Sequence, residues 1–181
     1  MIKHRRDLWQ VVQRRGLKGS AAEIGVAEGL FAENILDMPC FFPKVYLVDR
    51  WACNASQKGD GGFPPEWHRK NLKEAQIRLA RFKHRAVFLQ GESHLMALRV
   101  PGLSLALLYI DGDHSYEGVT RDVTSWLPNV EPGGIVAFHD YENPDYGVKK
   151  AVTEIAQTLK VEIQLLPENR MEDAGAYFIL P

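Results

Sequence analysis

The stretch that decides the fold is Ser20-Ala21-Ala22-Glu23-Ile24-Gly25-Val26-Ala27-Glu28-Gly29, which joins a short apolar segment to a turn containing two glycines. Residues 20–24 predict a β-strand, and residues 29–36 predict a helix that begins directly after the turn. A strand that leads into a helix through such a turn is the basic unit of parallel α/β folds. The remaining chain decides whether this unit repeats.

The unit does repeat along the chain. Short apolar runs at residues 44–48, 86–89, 104–110 and 135–138 are each followed by a helical pattern. The run 104–110 is apolar throughout, which is typical of a strand buried on both faces. Two further strands, 161–166 and 176–180, have no helix between them. Because a linker of about eight residues is too short for a parallel crossover, we expect the last strand to run antiparallel.

Composition excludes several classes of protein. The chain has 181 residues, of which 45% are apolar, and its 22 basic and 23 acidic residues give a net charge of −1. This length and composition suit one domain over residues 1–181. We expect no nucleic-acid partner, because such proteins carry a basic excess, and no membrane span, because no apolar run approaches about 20 residues. Cys40 and Cys53 fit no metal or redox spacing, and residues 1–16 lack a signal-peptide core, so a cytoplasmic protein is expected.

The N-terminal residues 1–18 predict a leading helix with an unusual charge. They contain one acid, Asp7, and six basic residues, which are Lys3, Arg5, Arg6, Arg14, Arg15 and Lys18. One interpretation is a surface for an anionic partner or substrate. The interpretation that we favour is a solvated helix face.

Polar and charged residues follow the predicted strands at the points where ligands bind in open parallel sheets. Carboxylates recur there, and a charge beside an apolar strand is costly unless it is paired or used. The five segments are Glu23–Gly29, then 49–51 (Asp-Arg-Trp), 91–93 (Gly-Glu-Ser), 111–114 (Asp-Gly-Asp-His) and 139–141 (His-Asp-Tyr).

The first turn differs from a dinucleotide-binding turn. A Gly-x-Gly-x-x-Gly fingerprint would have glycine at position 27, where this chain has alanine, and the acids Glu23 and Glu28 would repel a pyrophosphate. A ligand that carries an amine, a sulfonium or hydroxyl groups suits this turn better. Asp49 stands 24 residues after Gly25, where a carboxylate can accept both hydroxyls of a ribose. The alternative is a surface aspartate that caps a loop.

Together these residues resemble the class I S-adenosylmethionine-dependent methyltransferases over nearly the whole chain. The resemblance implies a Rossmann-like, mostly parallel seven-stranded sheet with an antiparallel last strand and helices on both faces. It also implies S-adenosylmethionine as the cofactor, with its binding residues at Glu23, Gly25, Gly29, Asp49, Arg50, Glu92, Ser93 and Asp111.

Within that class, the ends of the fourth and fifth strands resemble the metal-dependent O-methyltransferases of the catechol, caffeoyl-CoA, macrolide and aminocoumarin sugar types. That branch implies one divalent ion, Mg²⁺ or Mn²⁺, held by Asp111, His139 and Asp140. The usual last pair is Asp-Asp or Asp-Asn, so His139 is a departure. Strand alternation would point His139 away from Asp111 unless the loop turns there. The alternative is that Asp111 lines the cofactor pocket and His139 is half-buried against backbone.

The predicted reaction is methyl transfer to a hydroxyl of a small molecule, with Asp113 or His114 as the base. Asp113 is the first choice, because Asp111 nearby would raise its pKa, and His114 is the second. Two other functions stay open: a catalytically silent cofactor-binding module and a nicotinamide-dependent oxidoreductase. Residues 52–65, rich in glycine, predict either a lid or a plain loop. The acceptor is either compact or enclosed by the second subunit of a homodimer.

Overall fold

The computed structural model describes residues 4–37, 42–54, 59–167 and 174–181. Its strands are β1 (Ser20–Ile24), β2 (Val45–Asp49), β3 (Ala86–Gln90), β4 (Leu105–Ile110), β5 (Val130–Phe138), β6 (Gln164–Leu166) and β7 (Gly175–Ile179). Its α-helices are α1 (Leu8–Arg14), α2 (Leu30–Leu36), α3 (Pro65–Leu79), α4 (Ser93–Met96), α5 (Tyr116–Trp126) and α6 (Val148–Leu159). Short 3₁₀ turns precede α1 at Arg5–Asp7 and α3 at Gly59–Gly62.

The strands form one sheet in the order β3-β2-β1-β4-β5-β7-β6. The pairs from β3 to β5 are parallel, whereas β7 runs antiparallel to both of its neighbours, β5 and β6. The predicted fold class is therefore confirmed, including the antiparallel last strand. The direction of winding reverses between β1 and β4, and the crevice at such a point is where open α/β sheets bind ligands.

Strand β5 is longer than the sequence predicts. Leu105 pairs with Val130 and Leu107 pairs with Ile135, so two residues along β4 correspond to five residues along β5. The segment Pro132-Gly133-Gly134, whose residue types are typical of a turn, lies in the excursion between these pairs, where Gly133 has a φ of 77°. The strand resumes beyond it and carries its register to Phe138, beside Ile110 at the end of β4.

Helices cover both faces of the sheet. Leu107 and Tyr109 of β4 belong to the core cluster beneath α1, α2 and α3, while Leu108 and Ile110 belong to the cluster beneath α4, α5 and α6. All six residues of β4 are buried. Burial on both faces explains the continuous apolar run of this strand, and it leaves the carboxyl ends of the strands as the place where polar groups gather.

Helix α3 has an unusual buried face. Its buried residues are His68, Asn71, Ala75 and Leu79, which lie on one side of the helix at intervals of three and four residues. The second half of that face is apolar and the first half is polar. The helix begins with Pro65 at its first position, where the absent N–H would have no partner in the helix anyway.

Two arginines of the basic leading segment contact other parts of the same chain. Leu8, Val11 and Val12 of α1 are buried. Arg15 donates from Nε to the Gly133 carbonyl over 3.1 Å. Arg5 lies 3.9 Å from an Asp111 carboxylate oxygen, with its guanidinium over the Phe31 ring. Lys3 and Cys40 lie outside the described residues, and Cys53 is a free, exposed thiol.

Within residues 4–37, 42–54, 59–167 and 174–181, no helix has the length and apolar character needed to cross a membrane.

Candidate functional site

A cavity of about 200 Å³ opens at the carboxyl ends of β1 to β4. Its lining includes eight of the residues predicted for the site: Gly25, Asp49, Arg50, Glu92, Ser93, Asp111, Asp113 and His114. Trp51 and Trp67, which the sequence suggests as part of an apolar wall over the acceptor, also line it. The sequence does not point to His68 and Asn71 on α3 or to Arg121 and Asp122 on α5, which line it as well.

Asp49 holds the glycine-containing turn in place. Its Oδ2 accepts hydrogen bonds from the N–H groups of Val26 at 3.0 Å and Ala27 at 2.9 Å, and its Oδ1 accepts one from Trp51 N–H at 2.7 Å. Ala27 and Trp51 have positive φ values of 47° and 44°, which cost energy outside glycine. The charged acceptor offsets that strain. The loop-capping geometry is therefore present, and the ribose role of Asp49 stays a prediction.

Gly25 makes the closest approach between two strand ends. Its φ is 86°, and a Cβ placed there would lie 2.0 Å from the carbonyl oxygen of Asp111. Only glycine fits this position. Gly29 instead precedes α2 with a φ of 81°, packs against Leu79 and Ala75, and is not among the residues that line the cavity.

Glu23 lies beneath the cavity rather than on its wall. The side chain is buried at 2% exposure, and its β-sheet partner on β4 is Tyr109. Its Oε2 has no hydrogen-bond partner among the residues that the structure describes. Burial raises the pKa of Glu23 well above its ordinary value, the Asp111 carboxylate raises it further, and Arg5 opposes the shift. Glu23 is therefore not brought into direct contact with the cavity where the resemblance places it.

The third strand end meets helix α5. Arg50 and Glu92 form an ion pair of 3.7 Å between Nη1 and Oε1. Ser93 Oγ accepts a hydrogen bond from Trp126 Nε1 at 2.9 Å. Burial raises the pKa of Asp122 from 3.8 to about 6, against the opposing effect of a hydrogen bond with Ser93. This wall of the cavity thus has a carboxyl group whose charge is poorly solvated.

The three predicted metal ligands come together. One ligand atom from each of Asp111, His139 and Asp140 lies within 4.8 Å of the other two. His139 Nδ1 is 3.0 Å from Asp140 Oδ1 and 3.3 Å from Asp111 Oδ1. The loop does turn after β5, because Asp140 has a left-handed φ of 53° while His139 N–H still bonds to the Ile110 carbonyl.

The chemistry of this cluster fits a divalent cation. His139 Nδ1 is buried and lies beside two carboxylate oxygens without hydrogen-bond geometry to a described residue, as expected of atoms that share a ligand. Burial lowers the pKa of His139, but the Asp140 and Asp111 carboxylates outweigh it, so the net pKa is raised. Burial also raises the pKa of Asp111, which His139, His114 and Arg5 partly oppose. Positive charge is favoured at this point, whether from a proton or from a metal ion.

The two candidate bases differ in their surroundings. Asp113 Oδ1 accepts a hydrogen bond from Ser115 N–H at 3.0 Å, immediately before α5. His114 Nε2 lies 3.6 Å from Asp140 Oδ2, and its ring stacks on Tyr146 with centroids 4.6 Å apart. His114 is therefore the candidate that contacts the Asp111–His139–Asp140 cluster.

The region of the predicted lid is only partly described. Residues 55–58 lie outside the described part, Gly59–Gly62 form a 3₁₀ turn, and Asn54 N–H bonds to the Gly61 carbonyl at 2.8 Å. Trp67 lines the cavity and contacts Phe63, with ring centroids 5.0 Å apart. A lid at residues 52–65 stays a prediction.

Comparison with known proteins identifies the family. Residues 22–141 match the family model described as "Methyltransferase domain", which is more than half of the chain. The chain therefore belongs to this methyltransferase-domain family.

The curated relatives are themselves without a described function. Uncharacterized protein R132 of Acanthamoeba polyphaga mimivirus is 27% identical over 96 residues, which are 53% of this chain and 42% of that protein. Uncharacterized protein y4gI of Sinorhizobium fredii is 41% identical over 44 residues, which are 24% of this chain and 5% of that protein. The chain thus spans less than half the length of either relative.

Solved structures share the fold at low sequence identity. The O-methyltransferase NovP matches with a TM-score of 0.68 at 22% identity, over 97% of this chain and 77% of that one. An O-methyltransferase from Bacillus cereus in complex with SAH matches with a TM-score of 0.71 at 15% identity, over 97% and 80%. The N-methyltransferase NodS from Bradyrhizobium japonicum matches with a TM-score of 0.65 at 14% identity, over 98% and 86%. The fold alone therefore does not decide between oxygen and nitrogen acceptors.

Proposed function

We propose that this chain transfers a methyl group from S-adenosylmethionine to a hydroxyl group of a small molecule, with the help of a divalent metal ion. The observation that carries the proposal is that Asp111 belongs both to the lining of the cavity and to the Asp111–His139–Asp140 cluster. A cofactor in the cavity and an acceptor at the cluster would therefore be neighbours. Alignment of the two is what methyl transfer requires of the protein.

The charge of the cavity supports a sulfonium cofactor. Two arginines line it, together with five acidic residues, which are Asp49, Glu92, Asp111, Asp113 and Asp122. An excess of carboxylates attracts a positively charged ligand and repels a pyrophosphate. This balance argues against the nicotinamide-dependent oxidoreductase.

Asp111, His139 and Asp140 are the residues that would hold the metal. Two carboxylates and one imidazole suit Mn²⁺ and other transition ions at least as well as Mg²⁺. When bound, such an ion lowers the pKa of a hydroxyl that binds to it. Because Asp111 also lines the cavity, a hydroxyl bound to such an ion would lie beside the cavity.

His114 is the base that the surroundings favour. An imidazole nitrogen can accept the proton of a hydroxyl, and His114 lies 3.6 Å from Asp140 while lining the cavity. Asp113 has one carboxylate oxygen engaged by Ser115 N–H, which leaves it less available. We therefore expect His114→Gln to lower turnover by about 10²-fold or more, as loss of a general base does, and Asp113→Asn to lower it less.

The first test is isothermal titration calorimetry of the full chain with S-adenosylhomocysteine. The second is transfer of a labelled methyl group to catechols, glycosides and hydroxylated acids, each with and without EDTA. Binding followed by EDTA-sensitive transfer supports the proposal. Absence of S-adenosylhomocysteine binding overturns the proposal. Methyl transfer that EDTA does not affect excludes the metal ion from the mechanism. Binding without transfer to any acceptor favours the catalytically silent module, the alternative suggested by His139 in place of the usual aspartate.

Three expectations from the sequence remain proposals. They are a cytoplasmic location, the absence of a nucleic-acid partner, and either a compact acceptor or a homodimer whose second subunit encloses the acceptor. Sedimentation of the full chain with and without cofactor distinguishes a monomer with a compact acceptor from a homodimer that encloses the acceptor.

A further inference from the structure

His68 and Asn71 are buried polar side chains that the proposed reaction does not use. They are 5% and 6% exposed, and both line the cavity. His68 Nε2 and Asn71 Nδ2 have no hydrogen-bond partner within the described residues. Leaving such groups unpaired in a protein interior is unfavourable, so each occurrence calls for an explanation.

The packing of α3 places these two side chains beside the glycine-containing turn. Ala75 and Leu79, on the same helix face, lie 3.4 and 3.1 Å from the Cβ position of Gly29. Arg78 Nε donates to the Glu28 carbonyl at 3.0 Å, so this end of α3 is fastened to the end of the turn. Asn71 lies one helical turn before Ala75, and His68 lies almost two turns before it. The polar half of the face thus continues along the turn toward the cavity.

The Asp49 carboxylate has few acceptor positions left for a ligand, because most of them already accept backbone hydrogen bonds. Each carboxylate oxygen has two lone pairs that accept hydrogen bonds. Oδ2 already accepts two from Val26 and Ala27, and Oδ1 accepts one from Trp51. One acceptor position therefore remains on Oδ1. A ribose presents two neighbouring hydroxyls, so Asp49 can take only one of them while the turn keeps its present form.

We propose that His68 and Asn71 bind the second ribose hydroxyl of the cofactor. A hydroxyl both donates and accepts, so it can accept from Asn71 Nδ2 and donate to His68 Nε2 when the imidazole proton is on Nδ1. Both unpaired atoms would then be satisfied by one ligand group. This inference rests on the proposed function, because it assumes that the cavity holds a ribose.

The experiment compares S-adenosylhomocysteine with its 2′-deoxy and 3′-deoxy analogues by calorimetry. The variants are Asn71→Leu and His68→Leu, with Asn34→Leu and His84→Leu as matched controls away from the cavity. We expect each cavity variant to weaken S-adenosylhomocysteine about tenfold, the usual effect of one lost hydrogen bond to a ligand. Binding of the analogue that lacks the hydroxyl in question should change less than about twofold, because that hydroxyl is the partner of both side chains.

Equal weakening of all three ligands, or of none, overturns the inference, and so does an effect on the acceptor KM alone. If the wild-type chain binds no S-adenosylhomocysteine, the proposed function fails instead, so the two failures are distinguishable. Thermal unfolding of the ligand-free chain gives a second readout. Removal of groups that have no partner should leave the Tm unchanged or raise it, whereas a structural role predicts a lower Tm. Asn71→Ala and His68→Ala, which add no bulk, give the same comparison if a leucine variant does not fold.

Discussion

The acids at the ends of β2 and of β4 and β5 occupy equivalent places in the sheet, yet their surroundings differ. The Asp49 carboxylate accepts three backbone N–H groups. Within the part of the chain that the structure describes, no backbone N–H bonds to the Asp111 or Asp140 carboxylate, and these two face His139 instead. Backbone N–H groups solvate the first acid, whereas the other two lie against one imidazole.

This difference in surroundings suits the two acidic regions to two kinds of ligand, a neutral hydroxyl at Asp49 and a cation at Asp111 and Asp140. A carboxylate that fixed N–H groups already solvate can meet a neutral hydroxyl without further change. Two carboxylates close together repel each other, and a positive charge between them removes the repulsion. This difference is the basis on which we propose the cofactor for the β2 end and the metal and acceptor for the ends of β4 and β5.

The largest effect should come from Asp140→Asn. Loss of one anionic ligand should weaken metal binding and lower turnover about a thousandfold, or about 4 kcal/mol in the barrier, while the S-adenosylhomocysteine Kd changes little. Metal titration and labelled methyl transfer measure the two effects. Glu142→Gln is the control, because Glu142 pairs with Lys149 outside the cluster. If the Asp140→Asn and Glu142→Gln variants turn over equally fast, Asp140 does not bind a metal ion that the reaction needs.

Asp49→Ala tests the other region. It removes the acceptor of three N–H groups and a ribose partner, so we expect cofactor binding to weaken by about 2–3 kcal/mol. The same change should loosen the turn and lower the free energy of unfolding. Calorimetry and urea unfolding check these results, with Asp37→Ala, an exposed acid paired with Arg81, as control. Unchanged affinity would mean that the ribose binds elsewhere.

Asp122 lies on the cofactor side but resembles Asp111, because burial raises the pKa of both carboxyl groups, that of Asp122 from 3.8 to about 6. Between these pH values the native carboxyl keeps a proton that the unfolded chain has released. The free energy of unfolding should therefore fall as the pH rises from about 4 to about 6, by on the order of 2 kcal/mol.

Asp122→Asn should remove that part of the pH dependence and be more stable than wild type at pH 7. Urea unfolding at pH 4, 5, 6 and 7 measures it. Glu117→Gln, an exposed acid on the same helix, is the control. An Asn variant with the slope of the wild type would show that the Asp122 carboxylate is well solvated after all.

The smallest effect should come from Arg5→Gln. The pair between Arg5 and Asp111 is 3.9 Å long and partly exposed, so its loss should cost less than about 1 kcal/mol of stability. Removal of a positive charge beside Asp111 should make Mn²⁺ bind severalfold more tightly. Calorimetric titration with Mn²⁺ tests this, and the exposed Arg6→Gln is the control. Weaker Mn²⁺ binding by the Arg5→Gln variant would mean that Arg5 helps the cluster to bind the metal ion instead of competing with it for Asp111.

Most of the fold could be predicted because apolar runs and glycine turns are local signals. The apolar run from Leu105 to Ile110 predicts a strand buried on both faces. The acidic residues that follow the parallel strands predict a polar site at one edge of the sheet. The excursion in β5 could not be predicted, because Pro132-Gly133-Gly134 has the same local appearance in a turn and in a bulge. Only pairing with β4 distinguishes the two.

The candidate site was predictable where residues directly follow strands and not where helices contribute. His68 and Asn71 stand 23 and 20 residues before Gly91, where the next predicted polar strand end begins. Nothing in their spacing reveals which helix face meets the cavity until Ala75 and Leu79 are seen against Gly29. The three N–H bonds to Asp49 were equally hidden, because they depend on the positive φ values of Ala27 and Trp51.

The close contact at Gly25 bears on how this chain can vary in sequence. A side chain at position 25 would collide with the backbone of Asp111, which no choice of rotamer avoids. Position 25 therefore cannot adapt to a new ligand by itself, and any larger residue would demand a simultaneous shift of the segment that carries Asp111. Position 27 already carries a Cβ, and its N–H and carbonyl bond to Asp49 and Trp51. Variation that retunes this cavity should accordingly be found around the turn, on α3 and α5, and not at its first glycine.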